Sequence, residues 1–183
     1  MAGLATGNGF PNVVVTGVAM TTALASDADS TWKALLDGQS GIRTLNDEFV
    51  EKYDLPVRIG GHLVEEFDGE LTRVELRRLS YLQKMSTVLG RRVWQNAGSP
   101  EVDLKRLMVS IGTGMGSTEE MLFAYDGMRE RGLRAVSPLV VQMYMPNGAA
   151  AAVGLELKAK AGVITPVSAC ASGSEGIAQA WRQ

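Results

Sequence analysis

The chain has 183 residues, a formal net charge of −2, 45% hydrophobic and 21% charged residues. This balance is typical of a globular protein, and it lacks the basic excess of a nucleic-acid-binding protein. No stretch approaches the roughly 18 consecutive apolar residues of a membrane-spanning helix, and the N-terminus lacks the pattern of a secretion signal. We therefore expect a cytoplasmic protein with no membrane span and no nucleic-acid partner.

The N-terminal region predicts one strand and one short helix. Residues 1–11 are small and polar and are expected to form a flexible arm. The β-branched run Val13–Val18 predicts a strand that is buried on both faces. A helix is predicted over Thr31–Leu36, with Ser30 as its N-cap and Gly38 after its end.

The middle of the chain contains the longest predicted helix, over residues 79–97, before the turn Gly98-Ser99-Pro100. A turn is also predicted at Gly60-Gly61, well before this helix. A solvated helix face is predicted from the arginines at 73, 77 and 78. In the long helix, apolar residues recur at steps of three and four and would form one buried stripe. They are Leu79, Leu82, Met85, Leu89 and Val93.

A glycine-rich turn follows the second predicted strand, Leu107–Ile111. This turn, Gly112-Thr113-Gly114-Met115-Gly116, leads to a helix predicted to begin near Ser117 and to end near Gly132. Its G-x-G-x-G spacing differs from that of phosphate-binding loops. We therefore expect a tight strand-to-helix turn that uses the tolerance of glycine for positive φ.

The last third of the chain repeats the alternation of helix and strand. Ser137-Pro138 opens a helical stretch, and an alanine-rich helix is predicted between Met145–Gly148 and Gly162. Val163–Ser168 predicts a strand, and Ser174–Gln183 a final helix. The alternation predicts an α/β fold with a mostly parallel sheet, whose active groups would lie at the carboxyl ends of the strands.

Cys170, the single cysteine, lies between the last predicted strand and the last predicted helix. Its neighbours on both sides are small, from Ser168 to Gly173. A helix N-terminus favours the thiolate, which attacks thioester carbonyls, and its free N–H groups can stabilise an oxyanion. A lone cysteine is more often inert packing. The residue pattern therefore leaves an acyl-accepting thiol and a structural cysteine both open.

Other candidate groups carry weaker signals. His62, the single histidine, has no histidine or cysteine partner for a metal site and is expected at the surface or partly buried. Four methionines either line an adaptable apolar channel or pack in the core. They are Met115, Met121, Met143 and Met145. No metal and no cofactor are expected.

Four segments, taken in order, carry a family resemblance. They are Val13–Gly17, Gly112–Gly116, Ser137–Ala151 and Val167–Gly173. Together they resemble the elongating β-ketoacyl-(acyl-carrier-protein) synthases. Their amino-acid sequences are most similar to those of the mycobacterial synthases of mycolic-acid synthesis. The resemblance implies a thiolase-like α/β fold with a parallel or mixed sheet and flanking helices. Residues 12–183 would form the N-terminal half of that domain, incomplete at the C-terminus.

The resemblance also implies a reaction and its residues. The acyl chain would pass from acyl carrier protein to Cys170, whose own backbone N–H would contribute to the oxyanion hole. Malonyl carrier protein would then condense with it and lose carbon dioxide. Met115 would gate the acyl chain, and Gln142, Tyr144 and Met145 would shape its pocket near the interface of a homodimer.

The family further uses two histidines and a lysine from its C-terminal half, and His62 matches neither histidine motif. We therefore expect residues 1–183 to be a partial chain without condensation activity of its own. One alternative is another condensing enzyme, such as a polyketide ketosynthase or a thiolase, although the Met-Pro-Asn-Gly-Ala and Ser-Ala-Cys-Ala-Ser-Gly runs favour the fatty-acid type. The other is a non-catalytic truncated partner subunit, against which the presence of Cys170 argues.

Overall fold

The computed structural model describes residues 12–183, so the arm predicted at 1–11 lies outside the described residues. Residues 18–69 form one compact unit. Residues 12–17 and 70–183 belong to the other, which we call the larger unit. No helix in the described part of the chain is long and apolar enough to cross a membrane.

The unit of residues 18–69 contains two helices and a small hairpin-like sheet. Its elements are α1 (Ala28–Leu36), β1 (Arg43–Thr44), α2 (Glu48–Lys52) and β2 (Ile59–Gly60). The two strands pair antiparallel, so Gly60 belongs to a strand and not to the predicted turn. Helix α1 begins earlier than predicted because the Asp27 carboxylate, and not Ser30, is its N-cap; it accepts the Ser30 N–H at 2.8 Å.

The larger unit contains six helices and two strands. They are α3 (Arg73–Arg78), α4 (Tyr81–Asn96), β3 (Met108–Ser110), α5 (Thr118–Arg131), α6 (Val140–Tyr144), α7 (Gly148–Glu156), β4 (Gly162–Ile164) and α8 (Ser172–Arg182). The three arginines of α3 are exposed, as predicted. Helix α7 ends at Glu156, before the predicted stop, because Lys158 takes a left-handed φ of +56° and Gly162 begins β4.

The sheet of the larger unit is parallel, as predicted. Strands β3 and β4 pair with Val109 opposite Val163. Beyond the strands, the Thr113 N–H donates to the Pro166 carbonyl at 3.2 Å, so the pairing extends into the turns. Because both strands run in one direction, the glycine-rich turn after β3 and the Cys170 turn after β4 lie at the same edge of the sheet.

The prediction of a strand at Val13–Val18 is wrong. The structure assigns no strand there, and Val13, Val14 and Val15 are 61%, 74% and 83% exposed. A β-branched run fits a pleated, half-buried surface, but a strand also requires a hydrogen-bonded neighbour. None of the described segments forms a ladder with this run.

The core of the larger unit forms where α7 packs against α4 and β3. Ala149 and Ala150 are fully buried. Helix α4 turns a small and polar face toward the interior, and its apolar stripe, predicted to be buried, is only partly so. The reason is close packing: a Cβ added to Gly90 would lie 3.1 Å from Val153 Cγ1. The buried residues of α4 are Gln83, Ser86, Thr87, Val88 and Gly90.

Candidate active site

Cys170 lies in the short 3-10 turn Ala169–Ala171, between β4 and the first residue of α8. Its thiol is free and the residue is exposed. The predicted strand-to-helix location is therefore confirmed. Among the described residues the cysteine is not packed in a core, and its side chain is accessible from solvent.

The turn around Cys170 has an unusual backbone and is closed by one hydroxyl. Ala169 adopts a φ of +50°, a conformation that costs free energy for a residue with a Cβ. Ser172 Oγ accepts the Ser168 N–H at 2.9 Å and donates to the Ala169 carbonyl at 2.7 Å. Ser172 is 2% exposed, so these two hydrogen bonds are shielded from water. Ser168 Oγ in turn donates to the Glu175 carboxylate.

Backbone N–H groups near the thiol differ in whether they have partners. The Ala171 N–H donates to the Ser168 carbonyl at 3.0 Å. The Cys170 N–H makes no hydrogen bond with any residue that the structure describes. It is therefore free to donate to an oxygen atom of a bound substrate.

The glycine-rich turn after β3 lies directly against the Cys170 turn. A Cβ added to Gly112 would lie 1.8 Å from the Ser172 carbonyl oxygen, so only glycine fits. Ser110 Oγ donates to the Gly176 carbonyl at 2.7 Å and fixes α8 on the same side. Positive φ was predicted for the turn's glycines, but only Gly116 has it, at +68°; Gly112 is required for close approach instead.

The other end of the glycine-rich turn contacts the end of α6. A Cβ added to Gly116 would lie 2.8 Å from the Tyr144 carbonyl oxygen, and the Ser117 N–H donates to that oxygen at 3.4 Å. Met115, between these glycine contacts, is 71% exposed, so the core alternative is wrong for it. One five-residue turn thus connects the surroundings of Cys170 with the end of α6.

Two of the predicted pocket residues line one cavity. It has a volume of about 350 Å³ and is lined by Gln142 and Met145 together with residues of α3, α4 and α7. Cys170, Met115 and Tyr144 are not among its lining residues. The structure thus brings Gln142 and Met145 together and places Tyr144 against the glycine-rich turn instead.

A buried polar network that was not predicted from the sequence supports this region. Gln83 Oε1 accepts the Ser80 N–H at 2.9 Å, and Gln83 Nε2 donates to the Gln142 carbonyl at 2.9 Å. Ser80 Oγ and Ser117 Oγ lie 2.7 Å apart. The pattern Ser-x-x-Gln at the start of α4 is a capping box, a signal that the sequence alone carries.

His62 lies in the unit of residues 18–69, where its Nε2 is 3.2 Å from Asp47 Oδ2. Its side chain is 62% exposed, in agreement with the predicted surface location. In the described part of the chain, no group of three or more histidine, cysteine or acidic residues could hold a metal ion.

Comparisons with known proteins give relatives that match the chain over nearly all of its length. The chain is 75% identical over 183 residues to 3-oxoacyl-[acyl-carrier-protein] synthase 2 of Mycobacterium tuberculosis, and 76% identical over 180 residues to the protein of that name from Mycobacterium leprae. It spans 44% and 43% of the length of these two relatives.

The fold is also shared with a solved structure. The crystal structure of a β-ketoacyl synthase from Burkholderia phymatum aligns with a TM-score of 0.75 at 27% identity, over 92% of this chain and 42% of that one. The predicted thiolase-like α/β fold is therefore confirmed. The family model described as "Beta-ketoacyl synthase, N-terminal domain" matches residues 11–183. The chain therefore belongs to the β-ketoacyl synthase family, of which it contains the N-terminal domain.

Proposed function

We propose that the protein containing this chain is a 3-oxoacyl-(acyl-carrier-protein) synthase of fatty-acid or mycolic-acid elongation, with Cys170 as its nucleophile. The observation that carries the proposal is an exposed thiol at a strand-to-helix turn, in a chain 75% identical to synthases of that name. Residues 12–183 would be part of its ketoacyl-synthase domain. The names of the relatives support acyl carrier protein as the partner that delivers both substrates.

In the first step, the Cys170 thiolate attacks the carbonyl carbon of the acyl thioester on the carrier protein. The free Cys170 N–H donates to the oxyanion that forms, and the N-terminus of α8 adds its positive end. The bond between the carbonyl carbon and the carrier's sulfur then breaks, and the carrier's thiolate leaves and takes up a proton. The acyl group is now a thioester of Cys170.

In the second step, malonyl carrier protein loses its free carboxylate as carbon dioxide. The carbanion that remains attacks the carbonyl carbon of the Cys170 thioester. The bond to the Cys170 sulfur breaks, the thiolate is restored, and the β-ketoacyl product stays on the carrier protein. The resemblance assigns the groups that assist decarboxylation to two histidines and a lysine, and His62 would not be one of them.

The acyl chain would pass Met115 and enter the region of Gln142, Tyr144 and Met145. The exposure of Met115 supports a gate at that residue, and the 350 Å³ cavity supports an acyl-binding region at Gln142 and Met145, which line it. A methionine suits a gate because it can change rotamer without exposing a polar group to an apolar channel. We further propose that the protein is a cytoplasmic homodimer with α6 near the dimer interface.

Intact-protein mass spectrometry tests the nucleophile. The native protein incubated with hexadecanoyl carrier protein should gain the mass of one acyl group, and the Cys170→Ala variant should gain none. Malonyl carrier protein should then remove the adduct and yield a β-ketoacyl product. A wild-type protein that stays unmodified, or an adduct on Cys170→Ala, would contradict the proposal. Faster acylation by acyl coenzyme A than by the carrier protein would favour a thiolase-type enzyme.

A further inference from the structure

We propose that Ser172 is a positioning residue for the reaction of Cys170: its buried hydroxyl fixes the turn that presents the thiol to the acyl thioester. The proposal rests on the proposed function, because acyl transfer to Cys170 is the step that it would affect. Ser172 itself would touch neither the substrate nor the thiol.

The two hydrogen bonds of the Ser172 hydroxyl join the chain before Cys170 to the helix after it. The hydroxyl oxygen accepts a hydrogen bond from the Ser168 N–H at 2.9 Å. The hydroxyl also donates a hydrogen bond to the Ala169 carbonyl at 2.7 Å. Cys170 lies inside the loop that these bonds close. A side chain without a hydroxyl at position 172 would leave the Ser168 N–H without its present partner, and the Ala169 carbonyl would keep only the Ser172 N–H.

The backbone conformation of Ala169 shows why this closure is needed. Its φ of +50° is uncommon for a residue with a Cβ and persists only where the surroundings determine it. The Ala169 carbonyl is itself bound by Ser172 Oγ. The hydroxyl therefore stabilises the conformation that precedes Cys170 directly.

Ser172 is in turn fixed from the side of the sheet. Gly112 approaches its carbonyl so closely that an added Cβ would be 1.8 Å away, and Ser110 Oγ binds the Gly176 carbonyl one turn further along α8. A displacement of reacting atoms by about 1 Å can lower a rate roughly 100-fold. Loss of the hydroxyl is thus expected to reduce the rate of acylation more than it reduces the amount of folded protein.

The test uses Ser172→Ala in the native protein, with Ser174→Ala as the matched control. Ser174 lies in the same first turn of α8 and is exposed. Single-turnover acylation by hexadecanoyl carrier protein is measured over a range of carrier concentrations, and thermal unfolding is measured alongside. We expect Ser172→Ala to lower the maximal rate roughly 10- to 100-fold, with the half-saturating concentration unchanged, and Ser174→Ala to stay within about twofold of wild type.

Two rescue variants separate positioning from a general structural role. Ser172→Thr keeps the hydroxyl and should recover most of the maximal rate. Ala169→Gly combined with Ser172→Ala should fold and recover part of it, because glycine adopts positive φ without the hydroxyl. If Ser172→Ala does not fold, the double variant decides: acylation faster than about a tenth of the wild-type rate supports the proposal, and slower acylation overturns it.

Three results overturn the proposal with a folded Ser172→Ala: an unchanged maximal rate, a loss shared by Ser174→Ala, or no recovery in either rescue variant. If the wild-type protein is not acylated at all, the proposed function fails instead. Alkylation of Cys170 by iodoacetamide then still tests Ser172, because the same turn sets the thiol at the helix N-terminus. Slower alkylation of Ser172→Ala than of Ser174→Ala would support the positioning role, and equal rates would overturn it.

Discussion

At the scale of single residues, the candidate site depends on two very different uses of glycine. Gly116 has a positive φ in the left-handed region. Gly112 is needed for a different reason, because a Cβ at that position would collide with the Ser172 carbonyl oxygen. Gly114, in the same turn, has neither requirement, since an added Cβ would make only ordinary contact, at 3.6 Å from the Ala169 carbonyl oxygen. The three glycines of one motif are therefore not equivalent.

This difference predicts the outcome of a matched pair of substitutions. Gly112→Ala would place a methyl group within 1.8 Å of the Ser172 oxygen, so the start of α8 must shift. We expect a loss of about 1–3 kcal/mol in the free energy of unfolding, as for other overpacked sites, and at least a tenfold lower acylation rate of Cys170. Gly114→Ala should be nearly neutral in both urea unfolding and single-turnover acylation. Equal effects of the two substitutions would contradict this account.

At the scale of helices and strands, Arg91 of α4 connects the helices on either side of it. Its Nε donates to Glu156 of α7 at 2.8 Å, and its Nη2 lies 2.5 Å from Glu75 of α3. The hydrogen bond with Glu156 is the largest cause of a raised Arg91 pKa, and it outweighs the opposing effect of burial. Burial alone would raise the pKa of Glu75, but hydrogen bonds from Thr72 and Arg91 outweigh it and lower that pKa.

We expect Arg91→Met to destabilise the protein by about 1–3 kcal/mol at pH 7, between the values for exposed and buried ion pairs. A carboxyl whose pKa is lowered by folding stabilises the folded state above its ordinary value, 4.5 for Glu75, and loses that effect as the pH falls through its folded pKa. The difference between variant and wild type should therefore shrink in acid. Urea unfolding of the variant and the wild type, at neutral and at acid pH, measures this difference in the free energy of unfolding.

Arg77→Met is the control for this prediction. Arg77 lies on α3 and is exposed, so its substitution should change the free energy of unfolding by less than about 0.5 kcal/mol. If the loss in the free energy of unfolding caused by Arg91→Met stays constant with pH, the ion pairs with the carboxylates do not contribute to stability. In that case the lost packing of the long arginine side chain would be the cause.

The same scale shows what the sequence could and could not predict. The presence of β3 and β4 and the location of Cys170 follow from local patterns: short apolar runs, each ending at a run of small residues. The prediction of a strand at Val13–Val18 is wrong because a local residue pattern does not show whether a neighbouring strand is available to pair with. The prediction of which face of α4 is buried is also wrong. The small residues of α7 let the two helices pack closely, and a hydrophobic pattern does not encode that close packing. Ser172 was missed for a similar reason: its two partners become visible only once the turn has closed.

At the scale of the whole molecule, the described residues leave many apolar side chains in solvent. Around the cysteine turn these include Val167, Ile177 and Trp181, which are 53%, 76% and 46% exposed. Strands β3 and β4 form a sheet of only two strands, which leaves backbone groups at both edges without ladder partners among the described residues. Both features are typical of polypeptide that buries this surface against further protein.

This surface leads to a prediction for residues 1–183 produced alone. Their exposed apolar groups and unpaired edges should make the isolated chain bind a hydrophobic dye and associate, as light scattering would show. It should also form no β-ketoacyl product, because the resemblance assigns decarboxylation to two histidines and a lysine, and the single histidine of these residues, His62, matches neither histidine motif.

The control for this prediction is the native protein assayed with the same acyl and malonyl carrier proteins. Acylation of Cys170 in the isolated chain without condensation would separate the two steps, since the first requires only the thiol and its turn. A β-ketoacyl product from the isolated chain would contradict the assignment of decarboxylation to histidines elsewhere in the protein. The proton and charge chemistry of the second step would then have to come from residues 1–183 themselves.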